Sequence, residues 1–302
     1  MRYRNISNIQ MQHYSLLLLL MDFKQLENQF IQELNALYDR EESKQLYYMV
    51  TAHLCGWSRS ELLIHQNEYV SEELFSNFDR IRKELIMGKP VQHIFSEAWF
   101  YGLKFKVSSS VLIPRPETEE LVEWILQTID GQQGKALSLL DIGTGSGCIA
   151  IALKKLRAEI GVEALDISAD ALNVAKQNAI SNEVSINFIE ADICQYESGL
   201  KYDLIISNPP YITEDERKEM HQNVLQYEPH LALFVTNENP LIFYKSIADF
   251  AKINLNPSGK LFIEINEYLG KEMIEMLVDK GFTDIVLKKD MQGKDRMICC
   301  TI

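Results

Sequence analysis

Apolar positions recur every three or four residues from Asp22 to about Lys89. Phe23, Leu26 and Phe30, then Leu34, Leu37 and Tyr38, share one face, with Glu and Gln between them. That spacing predicts amphipathic helices. Ser58 with Glu61, ahead of Leu62-Leu63-Ile64, has the form of a capping box, and Ser71 with Glu73 opens another helix. Gly56 and Gly88-Lys89-Pro90 punctuate the segment. Over 91–112 the pattern changes. Trp99-Phe100-Tyr101-Gly102-Leu103-Lys104-Phe105-Lys106-Val107 alternates about a glycine and predicts a β-hairpin, the expected bridge to a second unit. Beyond Ile113, apolar strands are expected at about 137–142, 160–166, 184–190, 202–207 and 259–265, separated by amphipathic stretches at 147–157, 168–180 and 267–280. Such alternation predicts a parallel sheet covered on both faces. The last stretches, 282–288 and 294–301, have no helix between them and are expected to form an antiparallel edge pair. The expected organisation is an extension over 1–21, a helical domain over 22–90, a hairpin linker over 91–112 and an α/β domain over 113–302.

Composition narrows the chemistry. The 302 residues are 46% hydrophobic and 24% charged, as in an ordinary globular chain. Thirty basic against forty-three acidic residues leave a formal charge of −13, which disfavours extended contact with phosphate backbones. The five cysteines include no CxxC pair, and the adjacent Cys299 and Cys300 are badly placed to bond each other. A reducing, cytoplasmic setting is expected. Leu16 to Met21 is the most apolar run, six residues and far short of the ~20 that span a bilayer. Asp22 and Lys24 follow at once, which argues against a secretory signal. A first helical turn, or a true start at Met11 or Met21, is expected instead.

Leu139-Leu140-Asp141-Ile142-Gly143-Thr144-Gly145-Ser146-Gly147-Cys148-Ile149-Ala150 reads as strand, glycine turn and helix start. Glycines there allow a ligand to lie against bare backbone at a helix N-terminus, although such loops also serve close packing. A dinucleotide fingerprint would need glycine at 148, where Cys148 stands. Asp141 is placed to anchor an ammonium. The second strand closes on Asp166, nineteen residues beyond Gly147, where a carboxylate accepts ribose hydroxyls in nucleotide-binding α/β folds. Ser168 is available as the helix cap, leaving Asp166 free. The third strand runs into Asp192, suited to an adenine amine, with Ile193 to pack on the ring. Three acids at the C-terminal ends of successive parallel strands define one crevice.

The fourth strand, Tyr202 to Ser207, runs into Asn208-Pro209-Pro210-Tyr211. Two prolines exclude helix and make the turn rigid. The Asn208 side-chain carbonyl and a backbone carbonyl of Asn208 or Pro209 offer two acceptors, which suit a planar –NH2 group. Tyr211 adds a flat face and a hydroxyl.

The glycine loop, Asp166, Asp192 and Asn208-Pro209-Pro210-Tyr211 together resemble a class I S-adenosylmethionine-dependent methyltransferase acting on a planar nitrogen. Leu112-Ile113-Pro114-Arg115-Pro116-Glu117-Thr118-Glu119, Tyr227-Glu228-Pro229 with Leu231-Ala232-Leu233, and Asp290, Gly293 and Asp295-Arg296 are similar to hallmarks of the release-factor glutamine methyltransferases (the HemK/PrmC family). The likeness runs from about residue 22 to 302. It implies a Rossmann-like seven-stranded sheet with a small N-terminal helical domain, which is either plain scaffold or a docking surface. It further implies methylation of the glutamine in the GGQ motif of bacterial class 1 release factors, with S-adenosylmethionine as donor and S-adenosylhomocysteine as product. Asp141, Gly143, Thr144, Gly145, Ser146, Gly147, Asp166, Asp192, Ile193 and Asn208 are the expected cofactor residues. Asn208, Pro209 and Tyr211 are the expected catalytic group, and Pro210, Arg115 and Glu117 join them on the substrate side. Arg115 and Glu117 also suit a helix start at Pro116, with the acid complementing the dipole. Glu228 is expected to order a loop over the glutamine or to cap a turn. None of the six histidines lies in these motifs and no metal-ligand spacing occurs. A monomer with no metal, no membrane association and no direct nucleic-acid substrate is expected. The main alternative is an adenine amino-group methyltransferase acting on nucleic acid, followed by a non-catalytic adaptor and a nicotinamide-dependent oxidoreductase. Two departures from the family pattern are Ser96, where glycine is usual, and Ile193, at a variable position. Residues 1–20 have no counterpart.

Overall fold

The computed structural model describes residues 21–132, 135–220 and 222–302. Of the expected extension over 1–21, all but Met21 therefore lies outside the described residues. The chain divides between Phe95 and Ser96 into two units.

The first unit is helical: α1 (Phe23–Leu34), α2 (Arg40–Cys55), α3 (Arg59–His65), α4 (Glu72–Ile86) and α5 (Val91–Phe95). Phe23, Leu26, Phe30 and Leu34 bury one face of α1 among Tyr47, Val50, Phe78 and Ile81. The helix ends at Leu34, one turn earlier than the spacing predicts: Leu37 falls in the turn beyond it and is exposed, while Tyr38 is still buried in the same core. Ser58 and Glu61 form the expected capping box on α3, and Ser71 caps α4 through the Leu74 N–H. A second capping box, Asp22 with Gln25, starts α1.

The second unit opens with β1 (Glu97–Phe100) and β2 (Leu103–Lys106), an antiparallel hairpin. Tyr101 and Gly102 both take positive φ, the two-residue turn whose twist matches the strands. The hairpin is seated within this unit on helix α8 (Ala169–Ser181). Lys106 N–H donates to Asn178 Oδ1 at 2.6 Å, Asn178 Nδ2 returns a bond to Lys106 O, and Asn182 Nδ2 reaches Lys104 O. Ser96, at the departure from family glycine, has φ 57, in the left-handed region.

Helix α6 (Pro116–Ile129) precedes β3 (Ser138–Ile142), α7 (Cys148–Leu156), β4 (Gly161–Asp166), α8, β5 (Asn187–Glu190) and β6 (Tyr202–Ser207). A short parallel pair, β7 (Ile212–Thr213) and β8 (Phe234–Val235), brackets α9 (Gln222–Tyr227). Then come α10 (Ile242–Asn254), β9 (Leu255–Glu264), α11 (Gly270–Asp279), β10 (Thr283–Lys289) and β11 (Asp295–Thr301). The seven-stranded sheet has the order β10-β11-β9-β6-β3-β4-β5, parallel from β9 to β5, with β11 antiparallel to both neighbours. The expected antiparallel pair, β10 with β11, forms one edge of the sheet, with β10 outermost. Strand alternation sends Leu139, Leu204, Ile206, Phe262 and Cys299 to one core, and Leu140, Ile205, Leu261, Ile263 and Cys300 to the other. The two adjacent cysteines thus face opposite sides of the sheet. Helix α10 was not among the expected stretches, yet Tyr244, Ile247, Ala248 and Ala251 carry its buried face at helical spacing. β9 begins four residues before the expected start, and its pairing with β6 shifts register between Tyr202 and Leu204. The strand order reverses at β3, with β4 and β5 on one side and β6 and β9 on the other. This is the switch point at which open α/β sheets bind ligands.

Candidate active site

A cleft of about 460 Å³ opens at the C-terminal ends of β3, β4, β5 and β6. One wall is the glycine loop. It hangs from β4: Gly143 and Thr144 N–H groups both donate to Leu165 O, and Gly145 N–H donates to Asp166 Oδ2 at 2.8 Å. Gly145 has φ 55, and a Cβ there would project into open space, so the bare backbone faces the cleft. Gly147 has φ 81 and also packs closely, since a Cβ would meet Ile151 at 2.9 Å and Ala175 at 3.2 Å. Ligand approach and packing are thus both served, at different glycines.

Asp141 lies under this loop, 1% exposed. Its Oδ2 accepts the Thr144 hydroxyl at 2.6 Å, while Oδ1 is buried with no hydrogen-bond partner among the described residues. Burial pushes the carboxyl up to about 7, with the Thr144 hydroxyl and the Ala150 N–H at the start of α7 pulling the other way. Asp166 closes β4 and is buried. Ser168 caps α8 as expected, but Asp166 is not left free: Oδ1 accepts Ser168 N–H and Oδ2 the Gly145 N–H. Each oxygen keeps a further lone pair for a ligand hydroxyl. Asp192 lies just beyond β5, with Oδ1 accepting the Cys194 N–H, and Ile193 lines the cleft beside it.

The opposite wall is the turn after β6. Ser207 anchors it by donating to Ile142 O at 2.8 Å, and Asn208, Pro209 and Pro210 line the cleft. Asn208 Nδ2 donates to Thr118 Oγ1 at 3.2 Å, and Thr118 Oγ1 donates to Glu264 Oε2 at 2.7 Å. Tyr211 is not among the cleft-lining residues. Its hydroxyl donates to Glu264 Oε1 at 3.2 Å, and burial with the Glu264 charge raises its pKa, holding it protonated. Burial likewise pushes Glu264 up to about 6, offset by the Thr118 bond and by Arg296. Arg296 is held in turn by Asp290, whose other oxygen accepts the Gln292 and Lys294 N–H groups in a tight turn at Gly293. Asn266 Nδ2 binds Tyr211 O and Glu216, pinning the segment that follows the prolines.

Pro116 begins α6, as the helix-start alternative has it. Arg115 lines the cleft and pairs with Glu228 at 2.5 Å, and Glu228, 4% exposed, also accepts the Ile113 N–H. Glu228 therefore joins two segments that flank the cleft. Glu117 lies away from the cleft and accepts from Gln292 Nε2 at 3.3 Å. Glu264, Asn178 and Asn266 were not singled out by sequence. Glu264 closes the apolar run Leu261-Phe262-Ile263 just as Asp166 closes its own strand, so the same rule finds it. The two asparagines carry no such signal.

The open backbone of Gly143 and Gly145 and the remaining acceptors of Asp166 line the cleft and suit the amino-acid chain and ribose of S-adenosylmethionine, whereas Asp141 lies beneath the loop and is not among the lining residues. No group of three or more metal-ligating side chains occurs among the described residues. Neither does any helix long and apolar enough to cross a membrane. The strand order and this cleft define a class I methyltransferase. The fold matches the hMettl16 catalytic domain with a TM-score of 0.54 at 17% identity, over 67% of this chain and 76% of that one. Residues 119–231 match the family described as Methyltransferase small domain, and residues 25–95 match the PrmC N-terminal domain. A release factor glutamine methyltransferase of Flavobacterium psychrophilum is 44% identical over 91% of this chain and 97% of its own. Another, from Bacteroides thetaiotaomicron, is 40% identical over 88% and 95%. The chain belongs to the release factor glutamine methyltransferase family.

Proposed function

We propose that this protein methylates the side-chain amide nitrogen of the GGQ glutamine in bacterial class 1 peptide chain release factors, and that Asn208 and Pro209 present that amide. The observation that carries the reading is the placement of the rigid Asn208-Pro209-Pro210 turn across one cleft from the glycine loop. S-adenosylmethionine supplies an electrophilic methyl group there. When it is bound, Asp141 would hold its ammonium, the Gly143–Gly147 backbone its amino-acid chain, Asp166 its ribose, and Asp192 with Ile193 its adenine.

An amide nitrogen is a weak nucleophile because its lone pair is delocalised into the carbonyl. Geometry is what the enzyme must supply. Asn208 Oδ1 and the Pro209 carbonyl accept the two N–H bonds of the glutamine, which turns the lone pair toward the methyl group. Alignment of this kind lowers a barrier by several kcal/mol, up to roughly 7–11 in ideal cases. The same acceptors favour the positive charge developing on nitrogen. The methylated cation is strongly acidic and loses its proton to water, so no dedicated base is required. Arg115, fixed by Glu228, faces the substrate side. Tyr211 supports the turn from behind through Glu264. The five free thiols support a reducing, cytoplasmic setting.

The test is methyl transfer from labelled S-adenosylmethionine into purified release factor. Label is expected on a glutamine of the peptidyl-hydrolysis loop, reduced at least about a thousandfold in Asn208→Ala. Label on DNA and none on release factor would establish the adenine methyltransferase instead.

A further inference from the structure

We infer that Thr118, held by Glu264, is a positioning residue that sets which end of the Asn208 amide faces the substrate. The inference rests on the proposed role of Asn208. An asparagine side chain has nearly identical shape with its oxygen and nitrogen exchanged. Only one of the two arrangements leaves an acceptor for a substrate –NH2 group. The reverse would place two N–H donors against two N–H donors, so the turn needs a device that chooses.

The choice is made by proton counting. Thr118 Oγ1 carries one hydrogen and two lone pairs. Its hydrogen goes to Glu264 Oε2 at 2.7 Å, and an ionised carboxylate only accepts. The face of Oγ1 toward Asn208 therefore offers lone pairs alone, and Asn208 must answer with its Nδ2 group, 3.2 Å away. Oδ1 is left for the substrate. Glu264 is itself held as an acceptor from its other side, where Tyr211 OH donates to Oε1 at 3.2 Å. Arg296 lies beside both Tyr211 and Glu264. Thr118 and Glu264 are each 2% exposed, so water does not compete for these bonds. Thr118 also sits on the cleft wall, where its hydroxyl links α6 to the proposed catalytic turn.

A fixed polarity of this sort affects the reacting complex and leaves the donor site untouched. Thr118→Val, which keeps shape and removes the hydroxyl, is expected to lower kcat for release factor methylation ten- to a hundredfold. The KM for release factor and the Kd for S-adenosylmethionine should stay within about twofold. Thr118→Ser restores the hydroxyl and should return kcat to within about threefold of wild type. Should Thr118→Val not fold, Thr118→Ala is read in the same way. Equal kcat in Thr118→Val and wild type would overturn the inference, and so would a matching loss of donor affinity or a failure of serine to rescue. These outcomes are distinct from failure of the reading beneath them. In that case wild type itself leaves release factor unlabelled, or Asn208→Ala retains activity.

Discussion

The two walls of the cleft are built on different principles. The wall from β3 to β5 is local: residues 141–147 form a strand end, a turn and a helix start, and their backbone groups hang from the end of the next strand. The wall at β6 is assembled from afar. Asn208 touches Thr118, which touches Glu264, which touches Tyr211, beside an Arg296 held by Asp290. Those residues come from α6, β9, β11 and two loops. A locally encoded wall relies on backbone conformation and one buried charge, whereas the assembled wall relies on the direction of each hydrogen bond. The first should therefore fail by losing ligand, and the second by losing rate.

The largest effect expected in the donor wall comes from Asp141→Asn. Its unpartnered buried oxygen is a strong acceptor for an ammonium, and charge-assisted bonds of this kind contribute about 1.5–3 kcal/mol. The Kd for S-adenosylmethionine should rise about ten- to a hundred-and-fiftyfold by calorimetry. Stability should not fall with it. The native carboxyl titrates near 7 rather than at 3.8, so the protonated form favours the fold. Its contribution is fully present below about 3.8 and is lost as pH rises to about 7. The asparagine variant lacks that loss, and its ligand-free melting temperature at pH 8 should equal or exceed that of wild type. A lower melting temperature with unchanged donor affinity would remove the distinction between the walls.

The same division explains what can be read from sequence. The donor wall is legible because its chemistry is contiguous: Asp141 and the three glycines lie within seven residues, and Asp166 and Asp192 each follow an apolar run. The Asn208 turn is legible for the same reason, since two prolines mark it. What surrounds that turn is not, because contacts between residues 118, 208, 264 and 296 exist only after the strands are ordered. Tyr211 shows the limit well. Its place in the tetrapeptide suggests a face toward substrate, but the fold turns its hydroxyl onto Glu264, a residue with no motif around it. Helix α10 is a different case, since its apolar spacing is legible in the sequence at Tyr244, Ile247, Ala248 and Ala251. Asn178 is illegible on any local rule, although it bonds both Lys106 of the hairpin and Ser146 O of the glycine loop.

In the assembled wall, pH should act on rate through Glu264. Burial raises its carboxyl from 4.5 to about 6, with Thr118, Arg296, Tyr211 and Glu117 as the other influences and Tyr244 and Cys148 also facing it. Once protonated, it no longer compels Thr118 to donate, and Asn208 is free to turn over. With both substrates saturating, kcat should fall up to about tenfold per pH unit below 6. That limb should be absent in Thr118→Val. The stability term has the opposite sign: it is fully present below about 4.5 and is lost as pH rises through about 6. A single pH scan should thus show rate rising across the window where this contribution to stability declines. A flat wild-type profile from pH 5 to 8 would separate Glu264 from the turn.

The smallest effect concerns the hairpin, which belongs to neither wall but is bonded to the donor side through Asn178. Ser96 sits at its entrance with φ 57, and its carbonyl accepts the Val107 N–H. An L-residue in that region is strained by roughly 1–2 kcal/mol, most of which glycine would relieve. Glycine also gives the unfolded chain more freedom, which takes back about 0.5–1 kcal/mol. Ser96→Gly should therefore stabilise the protein by about 0.5–1 kcal/mol in denaturant melts, with the Kd for S-adenosylmethionine within about twofold of wild type. The reason to expect no change in binding is that the strain lies on the far side of the Lys106–Asn178 pair, while Ser146 O is reached by the same Asn178 amide from within the helix. If donor affinity moves together with stability, the hairpin transmits its strain through Asn178 into the glycine loop, and the donor wall is less local than its sequence implies.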